Sequence, residues 1–126
     1  MLALEPIEGV RASCYLSKDS IVVMNTSMIP PLSVLIGEEE MLDVDELVNM
    51  LRKVTDKVVS VDALETALSL GEPRSANIFL LGVASHYIPL SESSLRKGIE
   101  MSVPKRALEV NMKAFDSGRG VMSVLG

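Results

Sequence analysis

The chain has 126 residues, which suits one domain with a core of its own. Its formal net charge is −5 and no run of basic residues is longer than two, so it lacks the basic face of a nucleic-acid-binding protein. Because Cys14 is the only cysteine, an internal disulfide and any metal or iron-sulfur site built from several cysteines are excluded.

The distribution of apolar residues sets further bounds. No apolar run approaches the roughly 20 residues of a membrane-spanning helix, and the N-terminus lacks the pattern of a secretory signal. We therefore expect a cytoplasmic protein that does not enter a membrane. Apolar residues make up 48% of the sequence and aromatic residues only 3%. This apolar content is high for a small soluble monomer, so a partner is expected to cover part of the surface.

Strands and helices are predicted to alternate through the first half of the chain. The β-branched and apolar runs are continuous, as in strands that are buried on both faces of a parallel sheet. They predict parallel strands near residues 1–4, 20–25 and 57–62, with a further short strand near residues 33–36. Right-handed crossovers between these strands are the expected topology.

The first predicted helix begins at Pro6, whose missing N–H costs nothing at the first helical position. Ile7, Val10 and Cys14 follow at the spacing of one helical face. Cys14 is therefore expected to be a packed, unreactive thiol.

The loop after the second strand carries most of the candidate binding residues. Asn25 and Thr26 offer short polar side chains, and Pro30 and Pro31 favour an extended segment. Parallel α/β sheets bind ligands at loops that follow the carboxyl ends of their strands. The alternative is a turn in which Asn25 and Thr26 bond their own backbone.

Two helices are predicted on either side of the third strand. Asp43 with Glu46 fits a capping box for an amphipathic helix over residues 44–54. Asp62 follows the strand and either contacts a ligand or caps the next helix, over residues 63–70.

The second half is predicted to be helical and to pack around one buried helix. Apolar side chains surround residues 76–84 on nearly every side. One small or polar strip lets a neighbouring backbone come close, and it consists of Ser75, Gly82, Ser85 and His86. Further helices are predicted from Ser91 to about Ser102 and after Pro104. A flexible tail is expected over residues 116–126.

Two asparagines, Asn77 and Asn111, fall on the apolar faces predicted for these helices. An unpaired buried amide costs about 1 to 3 kcal/mol, so each should find partners within the protein or in a ligand. The two interpretations are core amides that tie helices together and contacts with a ligand. Asn77 is therefore also a candidate binding residue.

No catalytic or metal-binding set emerges from the residues. His86, the only histidine, is expected to pack or to cap a helix end. The three carboxylates at residues 38–40 have no partner ligand at a suitable spacing, which indicates a solvated face. Neither a G-x-G-x-x-G loop nor a P-loop is present. The residues alone thus predict an α/β domain with a binding or supporting role.

Three sequence blocks resemble a known family. The segments DSIVVMNTSMIPPLSVLIG, EPRSANIFLLGVASHYIPLSESSLRKGI and VPKRALEVNMKAF are similar to blocks in the gamma subunits of 2-oxoacid:ferredoxin oxidoreductases, most closely those of the indolepyruvate type. The resemblance implies a partial Rossmann-like, three-layer α/β domain with a mostly parallel sheet and a helical C-terminal half. Residues 1–126 would be one domain, the C-terminal portion of a gamma-type domain, because members place a glycine-rich half before this region.

The resemblance also implies a role within a complex. Enzymes of this family decarboxylate a 2-oxoacid on thiamine diphosphate, pass electrons through iron-sulfur clusters to ferredoxin, and release an acyl-CoA. Other subunits carry the thiamine and the clusters, so this chain alone is expected to bind no cofactor and to have no activity. Its expected partners are those subunits, or a second copy of itself when it is isolated.

The candidate binding residues match the family blocks, and they are Asn25, Thr26, Pro30, Pro31 and Asn77. They would bind a ligand or a partner, although a site shared with the glycine-rich half would be incomplete here. The alternative to a subunit is a stand-alone binding or interaction module that has kept the fold.

Overall fold

The computed structural model describes residues 1–121 and shows a parallel sheet with helices on both faces. Its strands are β1 (Leu2–Ala3), β2 (Val22–Asn25) and β3 (Val58–Val61), in the order β1-β2-β3. Leu2 pairs with Val23, and Val22 pairs with Val58. The valines of β2 and β3 suit strands that are covered on both sides. The three predicted parallel strands are confirmed.

Seven α-helices accompany the strands within the described residues. They are α1 (Pro6–Arg11), α2 (Leu32–Leu35), α3 (Val44–Arg52), α4 (Ala63–Ser69), α5 (Ala76–Ala84), α6 (Glu92–Ser102) and α7 (Leu108–Arg119). Short 3-10 turns lie at Ala12–Tyr15, Pro73–Ser75 and Lys105–Ala107. The strands are parallel and follow one another in order, and the crossover helices α1 and α3 pack against each other on the same face of the sheet. α5 packs on the opposite face of the sheet.

Separate cores fill the two faces of the sheet. Successive side chains of a strand point to opposite faces. Val22 and Met24 therefore pack beneath α1 and α3, whereas Val23 and Val59 pack against α5. A third core, centred on the fully buried Phe115, lies between α5, α6 and α7. The result is the predicted layered α/β architecture with a helical second half.

The helices α5 and α7 touch through their backbones. A β-carbon at Gly82 would overlap the carbonyl oxygen of Phe115, and one at Gly118 would overlap the carbonyl oxygen of Phe79. Only glycine fits at either position. The prediction that a neighbouring backbone approaches the small strip of α5 is confirmed.

The predicted strand near residues 33–36 is wrong, because this segment forms α2. Gly37 ends the helix with a φ of 81°. Its N–H bonds to the carbonyl of Val34 at 3.1 Å, and the N–H of Glu38 bonds to the carbonyl of Ser33 at 2.8 Å. A left-handed glycine that satisfies the last helical carbonyls in this way is a common helix ending.

The predicted burial of Cys14 is also wrong, because its thiol is exposed. The α-helix ends at Arg11, and the 3-10 turn over Ala12–Tyr15 follows it. The repeat falls from about 3.6 to about 3.0 residues per turn. Cys14 is thereby rotated away from the apolar stripe of α1.

The tail predicted over residues 116–126 begins too early. α7 continues to Arg119, and Gly118 is buried against α5. The prediction is wrong for residues 116–119, since helix packing holds them. Residues 122–126 lie outside the described part of the chain.

Candidate functional site

Asn25 ties three chain segments together at the carboxyl edge of the sheet. The side chain is buried, and its Nδ2 donates to the carbonyl of Leu4 at 3.2 Å, just beyond β1. Its Oδ1 accepts from the N–H of Ser27 at 3.2 Å and from the N–H of Ala63 at 3.0 Å. The carboxamide is thus engaged within the protein, and only its bond with the N–H of Ser27 is the local contact that the turn interpretation describes.

Asp62 caps α4 at the same edge. Its Oδ1 accepts from the N–H of Glu65 at 2.8 Å and from the hydroxyl of Ser27 at 2.8 Å. The capping interpretation of Asp62 therefore applies. The sequence analysis did not single out Ser27, although its place in the run Asn25-Thr26-Ser27 after a buried strand is a usable signal.

Thr26 differs from its neighbours because its side chain is free. Its N–H donates to the carbonyl of Val61 at 2.9 Å and so extends the pairing of β2 with β3. Its half-buried hydroxyl makes no hydrogen bond to the described residues. The side chain of Thr26 is therefore available to a ligand or a partner.

An exposed apolar surface follows this edge in the chain. Six large apolar side chains within residues 29–42, here called the apolar arm, are between 39% and 81% exposed: Ile29, Leu32, Leu35, Ile36, Met41 and Leu42. Pro30 and Pro31 are exposed at its start. Carboxylates at residues 38–40 border it. Exposed large apolar side chains with charged neighbours are typical of protein–protein contact surfaces.

Asn77 lies elsewhere, in a cleft of about 560 Å³ between α5 and the start of α7. Its expected burial is wrong, because the chain leaves the cleft open on that side of α5 and the side chain is exposed. Its Oδ1 accepts from the N–H of Ile78 at 2.9 Å. Asn111 lines the same cleft, is buried, and donates from Nδ2 to the carbonyl of Ala107 at 2.8 Å.

The structure thus places the five candidates in two regions. Asn25 and Thr26 lie at the carboxyl edge, and the two prolines lead from that edge into the apolar arm. Asn77 lies in the cleft between α5 and α7. Leu70, which lines the same cleft, lies at the end of α4 opposite to its cap, Asp62. Arg106 also lines this cleft. Arg106 is not among the residues predicted for a site, and no local sequence pattern marks it.

The described residues, 1–121, assemble no group of three or more His, Cys, Asp or Glu side chains that could hold a metal ion. An iron-sulfur cluster needs several ligands, most of them cysteines, and Cys14 stands alone in the sequence. His86 places Nε2 at 2.9 Å from the carbonyl of Arg119, which is a capping contact. In the described region, no helix combines the length and the apolar character of a membrane span.

Two relatives align with almost the whole chain. The indolepyruvate oxidoreductase subunit IorB of Archaeoglobus fulgidus is 32% identical over 120 residues, which cover 94% of this chain and 60% of that protein. The subunit of the same name from Methanothermobacter thermautotrophicus is 34% identical over 122 residues, with coverage of 95% and 62%. The chain therefore spans about 60% of the length of these relatives.

A solved structure shares the fold. The gamma subunit of keto/oxoacid ferredoxin oxidoreductase from Geobacter sulfurreducens aligns with a TM-score of 0.63 and 20% identity, over 93% of this chain and 59% of that one. The family model described as pyruvate ferredoxin/flavodoxin oxidoreductase matches residues 1–121. The resemblance of the three sequence blocks is confirmed. The chain belongs to the pyruvate ferredoxin/flavodoxin oxidoreductase family.

Proposed function

We propose that this chain is a subunit, or a portion of one, in a 2-oxoacid:ferredoxin oxidoreductase complex of the indolepyruvate type. The observation that carries the proposal is the family match over residues 1–121, together with relatives that are named as subunits. The complex would oxidatively decarboxylate a 2-oxoacid to an acyl-CoA in the cytoplasm. It would use thiamine diphosphate, iron-sulfur clusters and coenzyme A, with the thiamine and the clusters on other subunits.

In this proposal the chain has a supporting role. Residues 1–126 would form one domain that is equivalent to the C-terminal portion of a gamma-type domain. The single cysteine agrees with that role, because it leaves the chain without the ligands of an iron-sulfur cluster.

The apolar arm is the proposed contact with another subunit of the complex. Its large side chains are exposed, and Pro30 and Pro31 stiffen its start, which lowers the entropy lost on docking. Asn25 fixes the base of the arm to the sheet through hydrogen bonds with Leu4 and Ala63, the second of them buried. The bordering carboxylates at residues 38–40 favour a partner surface with an apolar groove and a rim of Lys or Arg.

Without that partner, the same surface is proposed to pair with a second copy of the chain. Self-complementary dimers with two-fold symmetry are the commonest closed assemblies. In such a dimer the apolar side chains of the two arms would cover one another. The carboxylates would remain in the solvated rim, where their mutual repulsion is screened by salt.

Co-purification from cells that carry the native gene tests the subunit role. A tagged chain should bring down large subunits that contain thiamine diphosphate and iron-sulfur clusters, and the eluate should oxidise a 2-oxoacid with ferredoxin as the acceptor. Recovery of the chain without such subunits and without oxidation of any 2-oxoacid would instead support the stand-alone interaction module.

A further inference from the structure

We propose that the cleft between α5 and α7 binds a small organic monocarboxylate with an aliphatic body. Its volume of about 560 Å³ suits a small molecule, since ligand sites commonly measure roughly 300 to 1,000 Å³. Apolar walls come from Leu70, Ile78 and Val110, and polar side chains converge on the same space. This combination of apolar walls with a few polar groups is typical of ligand sites.

The charges in the cleft select a ligand with one negative charge. Arg74 and Glu72 neutralise each other, with Nε at 2.9 Å from Oε1 and Nη2 at 3.1 Å from Oε2. The hydrogen bonds from Arg74 lower the pKa of Glu72, so the glutamate stays ionised. Arg106 makes no ion pair or hydrogen bond with any described residue. Two arginines and one glutamate leave one positive charge, on a side chain suited to a planar carboxylate.

The asparagines add a donor and an acceptor. Nδ2 of Asn77 donates to no described residue. The hydrogen bond that this side chain makes is accepted by its Oδ1. Asn111 is only 6% exposed, and its Oδ1 accepts no hydrogen bond from the described part of the chain. That oxygen is not fully buried, and Asn111 lines the cleft. Arg106 and Asn77 can hold the carboxylate, and Asn111 can accept from an N–H or O–H on the ligand body.

The aliphatic side chains of the walls distinguish this site from one for an inorganic anion. Leu70, Ile78 and Val110 offer no hydrogen bonds to a ligand, and they gain from contact with a hydrocarbon chain. A bare anion would bind Arg106 without using these walls. A neutral molecule with a hydrocarbon chain would leave the Arg106 charge unmatched.

Hexanoate is a suitable probe because it joins one carboxylate to a short aliphatic chain. Titration of the full chain followed by NMR should show saturable shifts of the Asn77 side-chain amide, with a Kd on the order of 1 mM. Arg106→Ala should weaken binding about tenfold because it removes a charge-assisted hydrogen bond. Asn77→Asp should weaken it similarly, since a carboxylate would replace a donor. Both side chains are exposed, so the fold should tolerate both changes.

Two kinds of control separate this site from weak surface binding. Arg52→Ala removes the same charge from exposed α3, on the other face of the sheet, and should leave hexanoate affinity unchanged. Hexanamide and inorganic phosphate should each bind about tenfold more weakly than hexanoate, because each lacks one half of the recognition. The proposal is overturned by the absence of saturable hexanoate binding, by equal affinity in Arg106→Ala, or by phosphate or hexanamide that binds as tightly as hexanoate.

Discussion

At the residue scale, Asn25 joins segments that lie far apart in the sequence. Its partners Leu4 and Ala63 are 21 and 38 positions away. The bond to the Ala63 N–H is buried, so no water can replace it without a rearrangement. A free carboxamide would suit ligand recognition, but this one stabilises the edge from which the apolar arm extends. We therefore propose the free hydroxyl of Thr26 as a contact for a ligand or a partner at this edge.

Asn25→Ala should lower the free energy of unfolding by about 2 kcal/mol, because it leaves the buried Ala63 N–H without an acceptor. Urea unfolding followed by circular dichroism measures this loss. Asn49→Ala is the matched control, since Asn49 is exposed on α3 and should change stability by less than about 0.5 kcal/mol. Equal losses in the two variants would contradict the tying role of Asn25.

Arg74 sets the ionisation of Glu72 in the cleft. Its hydrogen bonds lower the pKa of Glu72, and Arg106 adds a smaller electrostatic contribution in the same direction. Arg74→Ala should therefore raise the pKa of Glu72 toward the usual glutamate range, which a carbon-detected NMR titration can follow. A carboxyl with a lowered pKa in the folded state stabilises the fold above its ordinary pKa. That contribution is lost as the pH falls through the lowered value. An unchanged pKa in Arg74→Ala would show that the ion pair does not persist in solution.

At the element scale, the α5–α7 contact and the apolar arm have opposite characters. In the α5–α7 contact, Gly82 and Gly118 bring the two helix backbones together and leave no space for a side chain. The arm presents its side chains outward, so the stability of the isolated domain depends little on them. Substitutions in the helix contact should therefore change folding, and substitutions in the arm should change association.

Gly82→Ala should destabilise the domain by at least about 2 kcal/mol, since the new methyl group would overlap the Phe115 carbonyl oxygen in a rigid backbone. Gly98→Ala, in α6, is the matched control. A β-carbon there meets nothing within 4 Å, so the change should stabilise the helix by about 0.5 to 1 kcal/mol. Thermal unfolding of both variants gives the comparison. Shifts of the same sign would contradict the close helix contact.

Leu32→Asp should weaken association through the apolar arm, because it places a carboxylate in the apolar surface. Light scattering over a wide dilution range should show the unaltered chain near twice 13.6 kDa and the variant near 13.6 kDa. Met101→Asp alters an equally exposed residue of α6 outside the arm and should keep the larger mass. An unaltered chain that stays near 13.6 kDa at micromolar concentration, soluble and without a partner, would refute self-association.

At the scale of the whole molecule, much of the fold could be predicted from the sequence. The residues of β2 and β3 form continuous β-branched runs, which predict strands buried on both faces. The two sides of α5 are almost equally apolar, which predicts a buried helix. The segment at residues 33–36 is too short for the spacing of its apolar residues to distinguish a strand from a single helical turn. Gly37 carried the missing signal for a helix end.

The candidate site could be predicted only in part. Periodicity correctly placed apolar residues around α5, but it could not show that the side of Asn77 would face an open cleft. That outcome depends on where α7 packs, and α7 is distant in sequence. The cleft position of Arg106 has the same origin. Exposure of the apolar arm likewise depends on what the rest of the chain leaves uncovered.

The isolated chain should neither oxidise a 2-oxoacid nor bind thiamine diphosphate or an iron-sulfur cluster. Cys14 is its only cysteine, and the described residues assemble no metal-binding group. Iron and sulfide analysis after anaerobic reconstitution, a thiamine diphosphate titration and an oxoacid assay with ferredoxin test this expectation. Turnover by the chain alone would contradict the supporting role, whereas turnover only after addition of other subunits would agree with it.

The backbone contact between α5 and α7 bears on how the protein is made. The ribosome completes α5 well before α7, and His86, just beyond α5, bonds to Arg119 at the end of α7, 33 positions later. A nascent chain that has not reached Gly118 therefore exposes one side of an almost wholly apolar helix. Such a segment is a target for chaperones that bind unfolded apolar sequences. The contact between α5 and α7 can form only after Gly118, which packs against Gly82, has been translated.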